Sequence, residues 1–243
     1  MVIDFHSHIL PGIDDGSKDT EMSLEMLRRM KAYGADAVCA TSHFYGSRRT
    51  LEHFLSRRAG AAERLFEAME KEREAEAQAG VQSKDLMILL GAEVAFYSGL
   101  TRENEVEKLC IGDSNTLLLE MPFSPWTDFE INEVGSLCFD HGLNVVIAHL
   151  ERYTGIASED MIKQLLRLPV YVQINCESLL PVFGRRPWLK MFKEGQAKLL
   201  GSDAHNLSDR APNLGAGREI IKKKLGADAL TEIDRCAHEL LKI

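Results

Sequence analysis

The sequence predicts an α/β chain whose strands run parallel and close into a barrel. Three observations predict it. Short apolar runs alternate with amphipathic stretches along the chain, which implies a largely parallel sheet. A length of 243 residues suits one α/β barrel, and no doubly wound nucleotide signature competes with that reading. Histidines and carboxylates recur at the carboxyl ends of the apolar runs, where such barrels keep their chemistry.

The elements follow in order. Val2, Ile3 and Phe5 alternate through the first strand, which carries His6 and His8. Asp19 or Thr20 is placed to cap a helix running to Tyr33, with Met22, Met26, Leu27 and Met30 at helical spacing and Gly34 as its stop. Residues 37–43 read as a short buried strand ending on His43. Residues 50–79 read as a long helix with a solvated charged face, stopped at Gly80. Strands are expected over 86–94, ending near Glu93, and over 116–121, with Glu120 just before Pro122. A helix over 129–141 leads through Gly142 into a strand over 144–150 that carries His149. A helix at 158–168, a strand at 169–176 and a short helix at 187–194 come next. The last strand begins at Ala197 and runs into Gly-Ser-Asp203-Ala-His205, before helices near 212–225 and 228–241. That makes about seven strands. Neither an internal repeat nor a linker divides residues 1–243, so a single domain is expected.

Composition narrows the function. With 45% hydrophobic and 27% charged residues the chain can bury a sizeable core, and its net charge of −8 argues against a nucleic-acid binder. Five scattered cysteines without a C-x-x-C pair favour reduced thiols. None has an arginine six positions on, the pairing a cysteine-based phosphatase needs, and no P-loop is present. With no secretory signal pattern and no apolar run of about 18 residues, a cytoplasmic protein without membrane insertion is expected.

Residues i and i+2 of a strand share a face, so His6 and His8 aim at one spot. Asp15, in a Gly-bounded turn, can fold back toward it. Two imidazoles and a carboxylate suit a divalent first-row metal. Asp203 and His205 repeat the spacing. Adding His43, Glu93, Glu120 and His149 gives nine candidates, five histidines and four carboxylates. One ion needs three or four protein ligands, so nine suggest more than one ion, with Glu93 able to bridge. Glu93 and Glu120 lie within apolar runs, where an unpartnered carboxylate is costly. His43, between Ser42 and the aromatic pair Phe44–Tyr45, has the alternative of a core histidine. His53, His141 and His238, flanked by charged residues, read as surface positions.

DFHSHILPGIDDG, TSHF, GAEV, LLLEMP, IAHLERY and GSDAH, in this order, resemble the polymerase-and-histidinol-phosphatase (PHP) superfamily of metal-dependent phosphoesterases. HILPGIDDG, Glu120, HLERY and QIN…FGRR are most similar to its branch of bacterial protein-tyrosine phosphatases of capsular and exopolysaccharide synthesis. The resemblance covers nearly the whole chain. It implies a distorted, TIM-like (β/α)7 barrel with three divalent metal ions, commonly Mn2+, with Fe or Zn in relatives. His6, His8, Glu93 and Asp203 would hold the first ion, Glu93, Glu120 and His149 the second, and Asp15, His43 and His205 the third. Arg152 and Arg210 match arginines that grip the substrate phosphate.

The implied activity is hydrolysis of phosphotyrosine in a protein, such as the tail of a bacterial tyrosine autokinase, by a metal-bridging hydroxide. His43 or a metal-bound water would be the general acid. Glu177 departs from the branch pattern, in which small residues are expected. A small-molecule phosphatase such as histidinol phosphatase is the alternative, and a non-catalytic metal-binding regulator is the alternative of another class. The loop arginines Arg48, Arg49, Arg185 and Arg186 are candidates for a basic rim around an acidic peptide.

Overall fold

Parallel pairing runs through the whole sheet of the computed structural model, which describes residues 1–81 and 84–243. One sheet joins β1 (Ile3–Ser7), β2 (Ala37–Ala40) and β4 (Met87–Leu90) in the order β1-β2-β4. The other runs β3 (His43–Phe44), β5 (Glu93–Ala95), β6 (Thr116–Glu120), β7 (Asn144–Ile147), β8 (Tyr171–Asn175) and β9 (Leu199–Gly201). All ladders are parallel. The expected strand at 37–43 breaks at Thr41 and Ser42 into β2 and β3, and the one at 86–94 breaks at Gly91 and Ala92 into β4 and β5. The breaks are coupled, because the Glu93 N–H is shared between Thr41 O (3.0 Å) and Ser42 O (3.1 Å) where the ladder slips.

Those breaks leave seven strand positions, and the ring closes between the last and the first. Asp203 N donates to His6 O and His8 N to Ala204 O, both at 2.8 Å, beside a parallel bridge from Ser7 to Ala204. The seven-stranded barrel expected from the sequence is therefore the fold observed, with the two broken strands as its distortion.

Inside the ring the side chains are layered. Ile3, Phe5, Cys39, Leu118, Val146 and Leu199 form one buried cluster with Cys236, Ala237, Leu240 and Leu241 of the last helix. The polar residues sit above it, toward the carboxyl ends. β1 reaches both layers through an irregularity: Ile3 pairs with Ala37 and Asp4 with Val38, but Ser7 pairs with Ala40 rather than Thr41. One extra residue in β1 changes the inward-facing parity. Phe5 thus stays in the apolar layer while His6 and His8 both turn into the polar one.

Helices cover the outside and are capped where the sequence predicts. Asp19 accepts from Met22 N (2.8 Å) before α1 (Thr20–Ala32), and Thr50 caps α2 (Leu51–Gln78). Thr127 and Glu130 form a capping box at α3 (Asp128–Phe139), and Ser158 caps α4 (Glu159–Leu165). Helices α5 (Arg186–Lys193), α6 (Leu214–Leu225) and α7 (Ala227–Leu241) complete the chain. His53, His141 and His238 are exposed, as expected.

Close approach at the closing seam leaves no room for a side chain on β9. A Cβ on Gly201 would lie 2.5 Å from His6 Cβ and 2.9 Å from Gln173 Nε2. Gly201→Ala is expected to destabilise by about 1–3 kcal/mol. Gly60→Ala in α2, whose Cβ would meet only Arg64 Nη1 at 3.7 Å, should stabilise by about 0.5–1 kcal/mol. Thermal unfolding of the two variants checks the contrast.

Candidate metal centre

All nine candidates come together over the carboxyl ends of the strands. Glu93, fully buried at the start of β5, is the hub. Its Oε2 stands 3.3 Å from His6 Nε2, 3.2 Å from His8 Nε2 and 2.9 Å from His43 Nδ1, and its Oε1 is 2.7 Å from His149 Nε2. Glu120, at the end of β6, lies 3.5 Å from His149. Asp203 Oδ1 lies 3.5 Å from both His6 and His8. Asp15 reaches His43 (3.5 Å) and His205 (3.6 Å) from a turn where its side chain is 66% exposed. His43 thus faces Glu93 and Asp15 rather than the apolar core.

Three overlapping groups each offer one ligand atom per residue within 4.8 Å of one another: His8 with Asp15, His43 and His205; His6 with His8 and Asp203; and His43 with Glu93 and Glu120. His43 shares the group of Glu93 and Glu120, where the resemblance implied His149.

Both arginines are present too. Arg152 Nη2 and Arg210 Nη2 donate to the same oxygen, Asp203 Oδ2, at 2.6 and 2.9 Å, and both side chains remain about a third exposed. Arg152 lies in a 3-10 turn, Leu150–Tyr153, entered through a left-handed His149 (φ 33°). Asp203 is also left-handed, at φ 52°. Backbone strain of this kind costs about 1–3 kcal/mol per residue and concentrates at functional sites.

Neighbouring residues fix how the imidazoles present themselves. His8 Nδ1 faces Asp14 Oδ2 (2.8 Å), His6 Nδ1 faces Gln173 Oε1 (3.2 Å), and His205 Nδ1 faces the Asp203 carbonyl (2.9 Å). Each partner is an acceptor, so each Nδ1 carries a proton and each Nε2 is turned toward the cluster. Two such nitrogens, on His6 and His8, stand 3.2 Å apart. Lone pairs at that distance repel unless a proton or a cation lies between them.

The electrostatics carry the same signature. Burial disfavours an ionised Glu93 and an ionised Asp203, yet the surrounding imidazoles hold both carboxyls well below the usual range. Burial opposes charge on His149, but Glu120 and Glu93 raise it to about 9; His205, buried beside His8, falls to about 3. Glu93 Oε2, Asp203 Oδ1 and His205 Nε2 are buried without a hydrogen-bond partner. Buried orphans of this kind call for an explanation. Imidazole and carboxylate donors converging on them fit divalent cations.

Several residues at the centre escape a reading of the sequence. Asp14, the buried neighbour of Asp15, accepts from His8, from His43 N (2.9 Å) and from Gly16 N (3.0 Å). Gln173 and Asn175 project from β8 into the polar layer; the sequence marks them as the QIN of the branch and as polar residues two apart in an apolar strand, without a role. Glu151 is half-buried, its carboxyl pushed up by desolvation to about 7, and its Oε1 accepts from Asn175 N (2.9 Å). Glu177, the departure from the branch pattern, is exposed. At the mouth, Tyr45 stacks on His43 (5.1 Å), and Phe123, 54% exposed, stacks on His149 (6.0 Å).

Known proteins are similar to this chain over most of their length. The family described as capsular polysaccharide synthesis, CpsB/CapC, matches residues 2–241. The tyrosine-protein phosphatase CpsB of Streptococcus pneumoniae is 30% identical over 243 residues, covering 96% of this chain and 94% of the relative. The tyrosine-protein phosphatase YwqE of Bacillus subtilis (strain 168) is 27% identical over 249 residues, covering 99% and 92%. A chain from the crystal structures of YwqE from B. subtilis and CpsB from S. pneumoniae, described as unique metal-dependent tyrosine phosphatases, superposes with a TM-score of 0.83. It is 25% identical, over 99% of this chain and 94% of that one.

Asp14 offers a direct test of the centre without touching a candidate ligand. Asp14→Ala leaves His8 Nδ1 without its acceptor, and divalent-ion affinity is expected to fall about 10- to 100-fold. Titration calorimetry with Mn2+ measures this, and an unchanged affinity would show that the His8 ring needs no such support.

Proposed function

The chain belongs to the CpsB/CapC family of capsular polysaccharide synthesis, and from that premise we propose that it is a metal-dependent phosphatase acting on phosphotyrosine in a protein. The observation that carries this reading is the meeting of two guanidiniums with the edge of a carboxylate–imidazole cluster. Few ligands other than a phosphate dianion call for both.

We assign three divalent ions, Mn2+ first among them. His6, His8, Glu93 and Asp203 hold one, Glu93, Glu120 and His149 a second, and Asp15, His43 and His205 a third. When bound, such ions neutralise phosphate oxygens and acidify water to a pKa near ~7. Arg152 and Arg210 grip the outer phosphate oxygens, turning from Asp203 toward the substrate with the exposed part of each side chain. Tyr45 and Phe123 flank the opening as apolar walls for the phenyl ring. A phenol of pKa ~10 leaves with little protonation, so we assign His43 to an ion rather than to general acid catalysis.

The substrate segment is an exposed tail, which we identify with that of a bacterial tyrosine kinase. Arg186, exposed, opens α5 and Arg185, half-buried, precedes it, and they form a basic rim for acidic residues beside the phosphotyrosine. Among the described residues no helix is long and apolar enough to cross a membrane. Residues 1–243 act as one domain.

Mn2+-loaded protein is expected to hydrolyse a phosphotyrosine peptide in preference to histidinol phosphate at equal concentration, and a chelator should abolish turnover. Preference for histidinol phosphate would overturn the substrate, and inertness toward any aryl phosphate would overturn the enzyme. Arg152→Ala and Arg210→Ala should each lower kcat/KM by about 10²–10³-fold, measured with p-nitrophenyl phosphate. Replacing Arg185 and Arg186 together with Ala should weaken peptide turnover and spare p-nitrophenyl phosphate; equal loss on both would reject the rim.

A further inference from the structure

Two residues of the centre, His149 and Asp203, hold left-handed backbone conformations that side chains with a Cβ seldom adopt. Both are tied to neighbouring residues on the inward face of β8. Gln173 Oε1 accepts the His149 N–H at 2.9 Å, and Asn175 Nδ2 donates to Asp203 Oδ2 at 2.8 Å. Between the two, Gln173 Nε2 donates to Asn175 Oδ1, again at 2.8 Å. The result is one continuous run of hydrogen bonds from His149 to Asp203.

The direction of that run is fixed at both ends. A backbone N–H can only donate, so the Gln173 atom facing His149 is its oxygen. An ionised carboxylate can only accept, so the Asn175 atom facing Asp203 is its nitrogen. Both amides are therefore oriented by their outer partners, and the middle bond is the one such an arrangement requires. The Gln173 oxygen also faces His6 Nδ1 at 3.2 Å, which leaves the His6 Nε2 lone pair for the cluster. Gly201 lies so close to Gln173 that an added Cβ would come within 2.9 Å of Nε2, so the run leaves no space for a side chain at that position.

We propose that Gln173 and Asn175 are positioning residues that act as a latch on the metal centre, holding the strained backbone of His149 and selecting which oxygen of Asp203 faces the ions. Asp203 Oδ2 is occupied by Asn175 and the two arginines, and Oδ1, buried and without a hydrogen-bond partner, is left to point at His6 and His8. The latch joins residues assigned to different ions, so the ion positions share one support. Its role toward cations rests on the reading of the cluster as a metal site; its role on the backbone does not.

The test uses the full chain in two states. Hydrogen exchange of the metal-free protein is read first. Gln173→Met, close to Gln in size but without its hydrogen bonds, should speed exchange of the His149 amide about 10- to 100-fold and leave amides of the outer helices unchanged. Asn175→Ala, which spares the Gln173–His149 bond, should leave the His149 amide protected. Mn2+ titration follows: both variants should bind about 10- to 100-fold more weakly, and raising Mn2+ should restore kcat.

An unchanged His149 amide in Gln173→Met, or unchanged Mn2+ affinity in both variants, would overturn the latch. So would exchange that rises throughout the barrel in both, which marks a general packing role. A wild-type protein that binds no Mn2+ would refute the metal site itself, and the exchange result would still decide the backbone role.

Discussion

Glu93 holds this structure to a narrow set of solutions. Its carboxylate is shut away from water with four imidazoles around it, three on one oxygen and the fourth on the other. Burying that charge alone would be prohibitive. Surrounding it with neutral rings leaves lone pair against lone pair, as between His6 and His8. Positive charge must enter, either as protons on the rings or as cations between them. The raised pKa of His149 shows the first solution operating in the protein by itself. The orphaned oxygens and nitrogen show how readily the second would replace it.

The barrel is the means of bringing such a cluster together. Seven parallel strands deliver their carboxyl ends to one rim, and the apolar layer beneath, sealed by Leu240 and Leu241, gives that rim a dry floor. Irregularities are confined to where the chemistry needs them. The extra residue in β1 turns both His6 and His8 inward. The coupled breaks in the second and third strands set His43 opposite Glu93 in the ladder. The two left-handed residues each swing a side chain into the centre.

Much of this was legible in the sequence. The spacing of His6 and His8, the repeat of it at Asp203 and His205, and carboxylates inside apolar runs were enough to assemble the centre. The parallel sheet followed from the alternation of elements. What stayed hidden depends on contacts between distant parts of the chain. Nothing in the letters separates Asp14 from Asp15; only the fold of the turn, with Gly16 packed on the backbone of His8, sends one inward and leaves the other at the mouth. Gln173 and Asn175 belong to the QIN motif that marks the branch, but their role stays hidden until β9 and the turn after β7 are laid beside them. The strand breaks were missed because hydrophobic pattern reports burial, not ladder register, and residues 41, 42, 91 and 92 are as buried as their neighbours.

The seam between β1 and β9 has a further consequence for how the molecule comes into being. The strand bearing His6 and His8 is made before all the others described, yet its neighbour on one side, with Asp203, follows every other strand. The helix that seals the barrel floor follows later still. Contacts so far apart along a chain form slowly. The histidines of β1 therefore wait for Asp203 and His205 until β9 has been made and has paired with β1, so the cluster closes only when the barrel does.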